Sequence, residues 1–149
     1  MIKRLQYRIL RITASTAMLA FAGLLTLFAT QPAPAQTLKA LYSFTGGLDG
    51  GDPFPAVIQD AAGNLYGTTD YAGKYYAGVV FKVSKTGHET VLYTFTGGAD
   101  GQYPYAPLVR DAAGNLYGTT QYGGTSNIGV VFKISPAGKE TVLHSFTGG

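Results

Sequence analysis

Cysteine is absent from the 149 residues of this sequence. Its absence excludes disulfide bonds, thiolate metal sites and a lipid attached to an N-terminal cysteine. Histidine is almost absent as well, since only His88 and His144 occur, and neither falls on a repeated position or accompanies a serine nucleophile motif. We therefore interpret both histidines as exposed turn or strand residues rather than as members of a nucleophile–base pair.

Basic charge is scarce outside the first residues of the chain. The formal net charge is +3, but Lys3, Arg4, Arg8 and Arg11 lie within the first eleven residues. The remainder has seven basic and eight acidic side chains, which gives it a net charge of −1. A nearly neutral body offers no basic face to nucleic acid, so we expect no nucleic-acid partner.

The N-terminal segment has the pattern of an export signal. Its basic stretch precedes an apolar run at 17–29, and the small-x-small sequence Ala33-Pro34-Ala35 follows. This pattern predicts a signal peptide at 1–35 and a periplasmic, secreted or cell-surface protein without membrane contact after cleavage. A retained anchor is the alternative, although an apolar run of this length is shorter than the roughly 20 residues that a spanning helix needs.

The rest of the chain is one unit repeated at a constant offset. Two motifs return every 51 residues: LYSFTGG at 41–47 becomes LYTFTGG at 92–98 and LHSFTGG at 143–149, and GVVFKVS at 78–84 becomes GVVFKIS at 129–135. A fixed period of this size is typical of repeat architectures. We divide the mature chain into a lead-in at 36–40, repeat 1 at 41–91, repeat 2 at 92–142 and the first strand of a truncated repeat 3 at 143–149.

The sequence of each unit predicts two β-hairpins, and no segment has the pattern of a helix. Runs such as Val79–Val83 are rich in β-branched and aromatic residues, which favour strands. The decamer DAAGNLYGTT, at 60–69 and again at 111–120, has Asp first and Gly fourth, as in a type I turn closed by a left-handed glycine. We assign a structural role to the turn residues Asp60, Gly63, Asn64, Asp111, Gly114 and Asn115.

Glycines inside the predicted strands and acids at their ends complete the unit. Gly67 and Gly118 suggest the close approach of a neighbouring sheet. Glu89 and Glu140 begin the last strand of each unit, and we interpret them as solvated strand ends.

Four short antiparallel strands in about 50 residues are typical of a β-propeller blade. The combination of TGGxDG, DxxGNLYGTT and GVVFK[IV]S followed by GxETVLx[ST]FTGG resembles the GloVer tandem repeat of exported bacterial choice-of-anchor repeat proteins, over residues 41–149. The shorter DxxGNLY segment is also similar to hairpins of NHL-type and kelch-like propellers. The resemblance implies an extracellular all-β repeat protein of propeller type, and it implies no activity that can be assigned to a residue.

The chain holds two complete four-stranded units and one extra strand, whereas a closed propeller has about four to eight blades. We therefore expect the chain to be a fragment of a larger propeller. If the chain is complete, we expect its unpaired strand edges to cause edge-to-edge self-association.

Acidic residues are the first candidates for chemistry. Asp49 and Asp52 lie in GGLDGGDP and Asp100 lies in GGADGQYP, where a carboxylate can bind calcium or stabilise a turn. The second copy does not keep the acid pair, and the tandem nonapeptides of calcium-binding β-rolls are missing. We therefore expect turns here, with no metal and no cofactor.

Tyrosines in the glycine-rich connections are the best candidates for binding. Loops on a rigid β-scaffold commonly carry function, and tyrosine offers a large amphipathic face to a carbohydrate or protein ligand. We select Tyr71 and Tyr122, which occupy matching repeat positions, together with Tyr103 and Tyr105. The alternative is that these rings pack over their own repeats.

The residues favour an exported, non-catalytic module that presents these loops for binding at the cell surface or envelope. The second hypothesis is a segment of a propeller enzyme, a lyase or lactonase acting on sugars, whose catalytic residues lie outside this chain. The regularity of the repeats favours the first, because an active site needs residues that are not repeated.

Cleavage after Ala35 predicts a mature protein that begins at Gln36. N-terminal sequencing of protein recovered from the medium or periplasm measures this directly. Recovery of the chain from the membrane fraction with Met1 still in place would contradict the prediction.

Overall fold

Nine β-strands and no helix make up the part of the chain that the computed structural model describes, residues 37–53 and 56–148. The chain divides into two units, Met1–Leu38 and Lys39–Gly149, and the strands belong to the second. The strands are β1 (Gly51–Pro53), β2 (Ile58–Gln59), β3 (Leu65–Tyr71), β4 (Val79–Val83), β5 (Glu89–Thr94), β6 (Val109–Arg110), β7 (Leu116–Thr119), β8 (Val130–Ile134) and β9 (Glu140–Ser145). In these residues no helix is long and apolar enough to cross a membrane. The predicted signal peptide lies outside them.

The strands form two antiparallel sheets with neighbours in sequence order. The first sheet has the order β3-β4-β5, with β1 and β2 paired to opposite ends of β3, and the second has the order β6-β7-β8-β9. Because Pro53 faces Thr69 and Ile58 faces Tyr66, β1 and β2 act as one interrupted strand on the same edge. Each sheet therefore has four positions, which confirms the predicted all-β fold of repeated four-stranded units.

The repeat appears in the register as well as in the sequence. Tyr66 pairs with Lys82 in the first sheet, and Tyr117 pairs with Lys133 in the second. The last two strands of each sheet shift register at the same place, after Val80 and after Val131. Both units thus fold in the same way, bulge included.

The strand glycines make room for an aromatic ring of their own sheet. A Cβ on Gly67 would lie 2.6 Å from Cζ of Phe81, and one on Gly118 would lie 2.6 Å from Cζ of Phe132. Each phenylalanine is the cross-strand partner of its glycine. The expected close approach is therefore real, but it comes from the adjacent strand and not from a neighbouring sheet.

The two sheets pack face to face through one hydrophobic core. Phe95 and Phe132 are fully buried, with ring centroids 5.1 Å apart at an interplanar angle of 68°. Both repeats contribute to this interface core. Its described residues are Tyr66, Ala77, Val80 and Phe95 from the first sheet and its loops, and Leu108, Leu116, Val130, Phe132 and Ile134 from the second sheet and the loop before it. An edge-to-face aromatic pair adds about 0.5–1.5 kcal/mol beyond its buried area.

The outer face of the first sheet carries a second, smaller core. Val79, Phe81 and Val83 are buried there, and the chain segment before β1 covers them with Tyr42 and Phe44. The ring of Phe44 lies 4.7 Å from that of Phe81, which reproduces the contact of Phe95 with Phe132 one repeat later.

The sheets are out of phase with the sequence units. Leu92 lies inside β5 rather than at a boundary, and Leu143 lies inside β9, where it completes the second sheet instead of opening a third. The segment 41–44, expected to be an opening strand, pairs with no strand in the described residues. Thr94 pairs with Val79, fifteen residues upstream, and the position that matches Val79 for Ser43 is residue 28, which lies outside the described residues.

Both decamer glycines adopt positive φ, +84° at Gly63 and +85° at Gly114. Replacing either one by valine forces a β-branched side chain into the left-handed region, and we expect a loss of roughly 1–3 kcal/mol in the free energy of unfolding. Thermal or denaturant melts measure it, with Ala61→Val as a control in the same exposed turn. Equal stability of Gly63→Val and Ala61→Val would contradict the turn assignment.

Candidate ligand-binding site

The aspartate of each decamer holds its own hairpin together. Asp60 Oδ1 accepts bonds from the backbone N–H groups of Ala62 and Asn64, both at 2.9 Å, and Oδ2 accepts from Asn64 Nδ2 and the Tyr66 hydroxyl, also at 2.9 Å. Gly63 N–H donates to the Asp60 carbonyl and closes the turn. These oxygens are engaged by the protein, so the decamer offers a ligand little that is free.

The second copy repeats this arrangement and its electrostatics. Asp111 accepts from the backbone and side chain of Asn115, at 2.8 and 2.7 Å, and from the Tyr117 hydroxyl at 2.9 Å. The side-chain bond from Asn115 is the main cause that lowers the pKa of Asp111 to about 2, against the opposing effect of desolvation. The Asn64 side chain likewise lowers the pKa of Asp60.

A second repeated carboxylate stabilises the loop in which the sequence predicts a turn. Asp49 Oδ2 accepts from the Tyr42 hydroxyl at 2.9 Å and from the Thr45 N–H at 2.8 Å. Asp100 makes the same two contacts, with Tyr93 and Thr96, at the same distances. The spacing Tyr-x-x-Thr-x-x-x-Asp, present in both copies, is the signal that could have revealed this loop closure.

The strand-end glutamates differ from the expectation of solvated side chains. Glu89 and Glu140 are half-buried, and one carboxylate oxygen of each is buried without a hydrogen-bond partner in the described residues. Burial, followed by the negative charge of Asp49 or Asp100, raises the pKa of each glutamate. Both are structural positions, because each repeat contains one in the same place.

Three of the four selected tyrosines come together. The ring of Tyr103 lies 6.1 Å from that of Tyr122 and 6.5 Å from that of Tyr105, both edge-to-face. Tyr105 is 42% exposed and Tyr122 is 41% exposed, so both rings remain available to a ligand. The fourth, Tyr71, lies apart with its ring 5.9 Å from that of Tyr76. We call Tyr103, Tyr105 and Tyr122 the tyrosine cluster.

Backbone pairing places the cluster at one end of the second sheet. Gln102 and Tyr122 form a β-bridge that repeats the pairing of Gly51 with Tyr71. Tyr103 donates its N–H to the Ala77 carbonyl at 3.0 Å and accepts from the Gln121 N–H at 3.0 Å. Its φ of +57° repeats the +51° of Asp52 at the matching position, so this backbone conformation belongs to the repeated unit.

Asp70 joins the cluster from the first sheet. The Tyr105 hydroxyl donates a hydrogen bond to the Asp70 side chain, and burial followed by the charge of Asp70 raises the pKa of Tyr105. The other carboxylate oxygen of Asp70, Oδ1, is buried without a hydrogen-bond partner in the described residues. Sequence reasoning missed Asp70, although the repeat gives a signal: the matching position in the second copy is Gln121.

An open groove of about 570 Å³ runs beside the cluster. Its lining combines one aromatic ring with hydroxyl and amide groups: Tyr105, Ala106, Thr119, Thr120 and Gln121. Apolar pockets with a few placed polar groups are the usual form of a small-ligand site. The groove, the cluster and Asp70 together form a site that can stack on a ring and hydrogen-bond to hydroxyl groups.

Comparison with known proteins gives one match. The family model described as the Gloeobacter/Verrucomicrobia repeat matches residues 22–149, which is most of the chain and confirms the resemblance to the GloVer repeat. No curated protein matches, and no solved structure matches. The likeness to NHL-type and kelch-like blades stays a prediction.

Because folding lowers the pKa of Asp111, the folded protein loses stability in acid. Because the folded-state pKa of about 2 is below the ordinary 3.8, the stabilisation is complete above pH 3.8 and is lost as the pH falls towards 2. We expect Asp111→Asn to flatten the fall of melting temperature over this range. Asp52→Asn, at an exposed aspartate, is the control, and an acid profile that neither variant alters would contradict the assignment.

Proposed function

The chain belongs to the Gloeobacter/Verrucomicrobia repeat family, and from the site that its second unit builds we propose that it is an exported, non-catalytic binding module for carbohydrate. The observation that carries the proposal is the convergence of three tyrosine rings, two of them exposed, beside an open groove. Export is supported by the N-terminal pattern of basic, apolar and small residues.

The chemistry of the tyrosine cluster suits a sugar better than an ionic ligand. A pyranose ring has apolar C–H faces that stack on aromatic rings, and hydroxyl groups around its edge that need hydrogen-bond partners. Tyr105 and Tyr122 present exposed faces to such a ring. The Asp70 side chain, whose Oδ1 is buried, accepts from the Tyr105 hydroxyl and so helps to hold that ring in place. The Thr119 and Gln121 side chains of the groove add neutral donors and acceptors. The Thr120 hydroxyl is already bonded to the backbone of Tyr122 and Val130.

The site is unique within a repeated scaffold. The first copy has Asp52 and Phe54 where the second has Tyr103 and Tyr105. The junction between the first and second sheets therefore combines an aspartate from one unit with tyrosines from the next. A departure from the repeat at contacting positions is what a binding site on a repetitive scaffold requires, since binding residues on such scaffolds lie in variable loops.

The proposal predicts binding to neutral polysaccharide through the cluster. Native affinity electrophoresis in gels containing soluble xylan, glucomannan, mixed-linkage β-glucan or dextran should show retardation in at least one polymer. Tyr122→Ala and Tyr105→Ala should each weaken that binding by about tenfold or more, because a stacking face is lost. Asp70→Asn should weaken it less, since the amide oxygen can still accept the hydrogen bond from the Tyr105 hydroxyl.

Tyr75→Ala is the matched control, because Tyr75 is exposed to 48% and contacts Lys74 instead of the cluster. Retardation in none of the four polymers would reject carbohydrate as the ligand and leave a protein ligand as the candidate. Equal losses for Tyr75→Ala and Tyr122→Ala would reject the tyrosine cluster as the site.

A further inference from the structure

The outer face of the second sheet is a copy of a buried surface. Six of its apolar residues, Val109, Tyr117, Ile128, Val131, Leu143 and Phe146, stand 51 positions after Ile58, Tyr66, Ala77, Val80, Leu92 and Phe95. The earlier six lie in the interface core or pack against it. The difference in exposure is large: Phe95 is 0% exposed and Phe146 is 41% exposed, and Ala77 is 0% exposed while Ile128 is 49% exposed.

The outer face of the first sheet copies the opposite side of the same interface. An apolar groove of about 320 Å³ on this face has a lining that includes Leu41, Val57, Leu65, Phe81 and Val83. Four of these residues match second-sheet residues of the interface core: Val57, Leu65, Phe81 and Val83 stand 51 positions before Leu108, Leu116, Phe132 and Ile134. The fifth, Leu41, matches Leu92 of β5, which lies on the first-sheet side of the interface. Both halves of the intrachain interface are therefore present a second time, on opposite outer faces.

We propose that a second copy of this chain docks by its second-sheet outer face on the first-sheet outer face of its partner, as a repetition of the intrachain packing. The matching of residues identifies the docking partner. In the intrachain interface Tyr66 and Val80 pack on the second sheet, and no described residue takes their places in the groove on the first sheet. The second-sheet face supplies them as Tyr117 and Val131.

Size changes at the two faces compensate each other. In the intrachain interface the backbones of the small residue Ala77 and the large residue Tyr103 are adjacent, because the Tyr103 N–H donates to the Ala77 carbonyl. At the matching places of the outer faces the small and large residues exchange, with Ile128 opposite Asp52. A cavity of about 450 Å³ beside Asp52, bordered by Gly46 and Gly51, gives the larger isoleucine its space.

A polar contact is duplicated as well. Thr68 Oγ1 donates to the carbonyl of the fully buried Pro104 at 3.0 Å, across the intrachain interface. The matching residues on the outer faces are Thr119 and Pro53, and Pro53 is exposed. The docked copies would therefore bring Thr119 of one chain beside Pro53 of the other.

Docking also requires a local exchange. Leu41 and Phe44 occupy the places that Leu92 and Phe95 hold in the intact interface, so Leu143 and Phe146 of the incoming copy must displace them. The segment 41–44 belongs to no strand in the described residues, and Leu41 is already 43% exposed. Such a contact is heterologous, joining unlike faces, so it leads to a ring if its rotation closes and to a filament otherwise.

The absence of cysteine allows a direct test with the full chain. One protein sample carries Thr119→Cys. A second sample carries Pro53→Cys and a tag that changes its mass. Each variant is treated with a short bismaleimide by itself, and the two are also treated together as a mixture. The expected result is a crosslinked dimer of one tagged and one untagged chain in the mixture, with little dimer from either variant alone. Association through like surfaces would instead crosslink each variant to itself.

Adding Ile128→Asp to the Thr119→Cys chain should lower the yield of mixed dimer by about tenfold or more, because docking would bury an unpaired carboxylate. Leu48→Asp, at an exposed loop position outside both faces, is the control and should leave the yield unchanged. The proposal is overturned if the mixture gives no more dimer than the single variants. It is equally overturned if Ile128→Asp, with strand content retained in circular dichroism, changes nothing.

Discussion

The contact of Phe95 with Phe132 is the interaction on which the rest of the structure depends. Without a disulfide, the two sheets are held together by apolar burial, and this pair is at the centre of the interface core. The guanidinium of Arg110, from the second sheet, extends the contact over the Tyr66 ring at 5.5 Å. Because Asp70 and the tyrosine cluster come from different sheets, their site exists only when this core forms.

Residues that are identical in both copies and residues that differ between the copies have different roles. Residues identical in both copies close turns, as Asp60 and Asp111 do, or fit a ring against a glycine, as Phe81 and Phe132 do. Among the residues that differ are those that a ligand can reach at the junction of the sheets, as Tyr103 and Tyr105 show. A scaffold that repeats its structural contacts can change its junctions without loss of the fold.

Local elements were predictable from the sequence because their causes are local. Alternating β-branched and aromatic residues placed β4, and the Asp and Gly of the decamer placed the turn before β3. The segment 41–44 was predicted as a strand and pairs with none in the described residues, since a strand needs a partner at the right register as well as a β-prone composition.

The sequence by itself determined the all-β class, the 51-residue period, the decamer turns and the family, all of which depend on residues close together along the chain or on their repetition. Only the tertiary structure decided which tyrosines meet. It separated Tyr71 from Tyr103, Tyr105 and Tyr122, and it brought Asp70 to Tyr105 across the junction. The physical reason is that face-to-face packing joins residues of different repeats, and that geometry is fixed by the burial of Phe95, Phe132 and their neighbours.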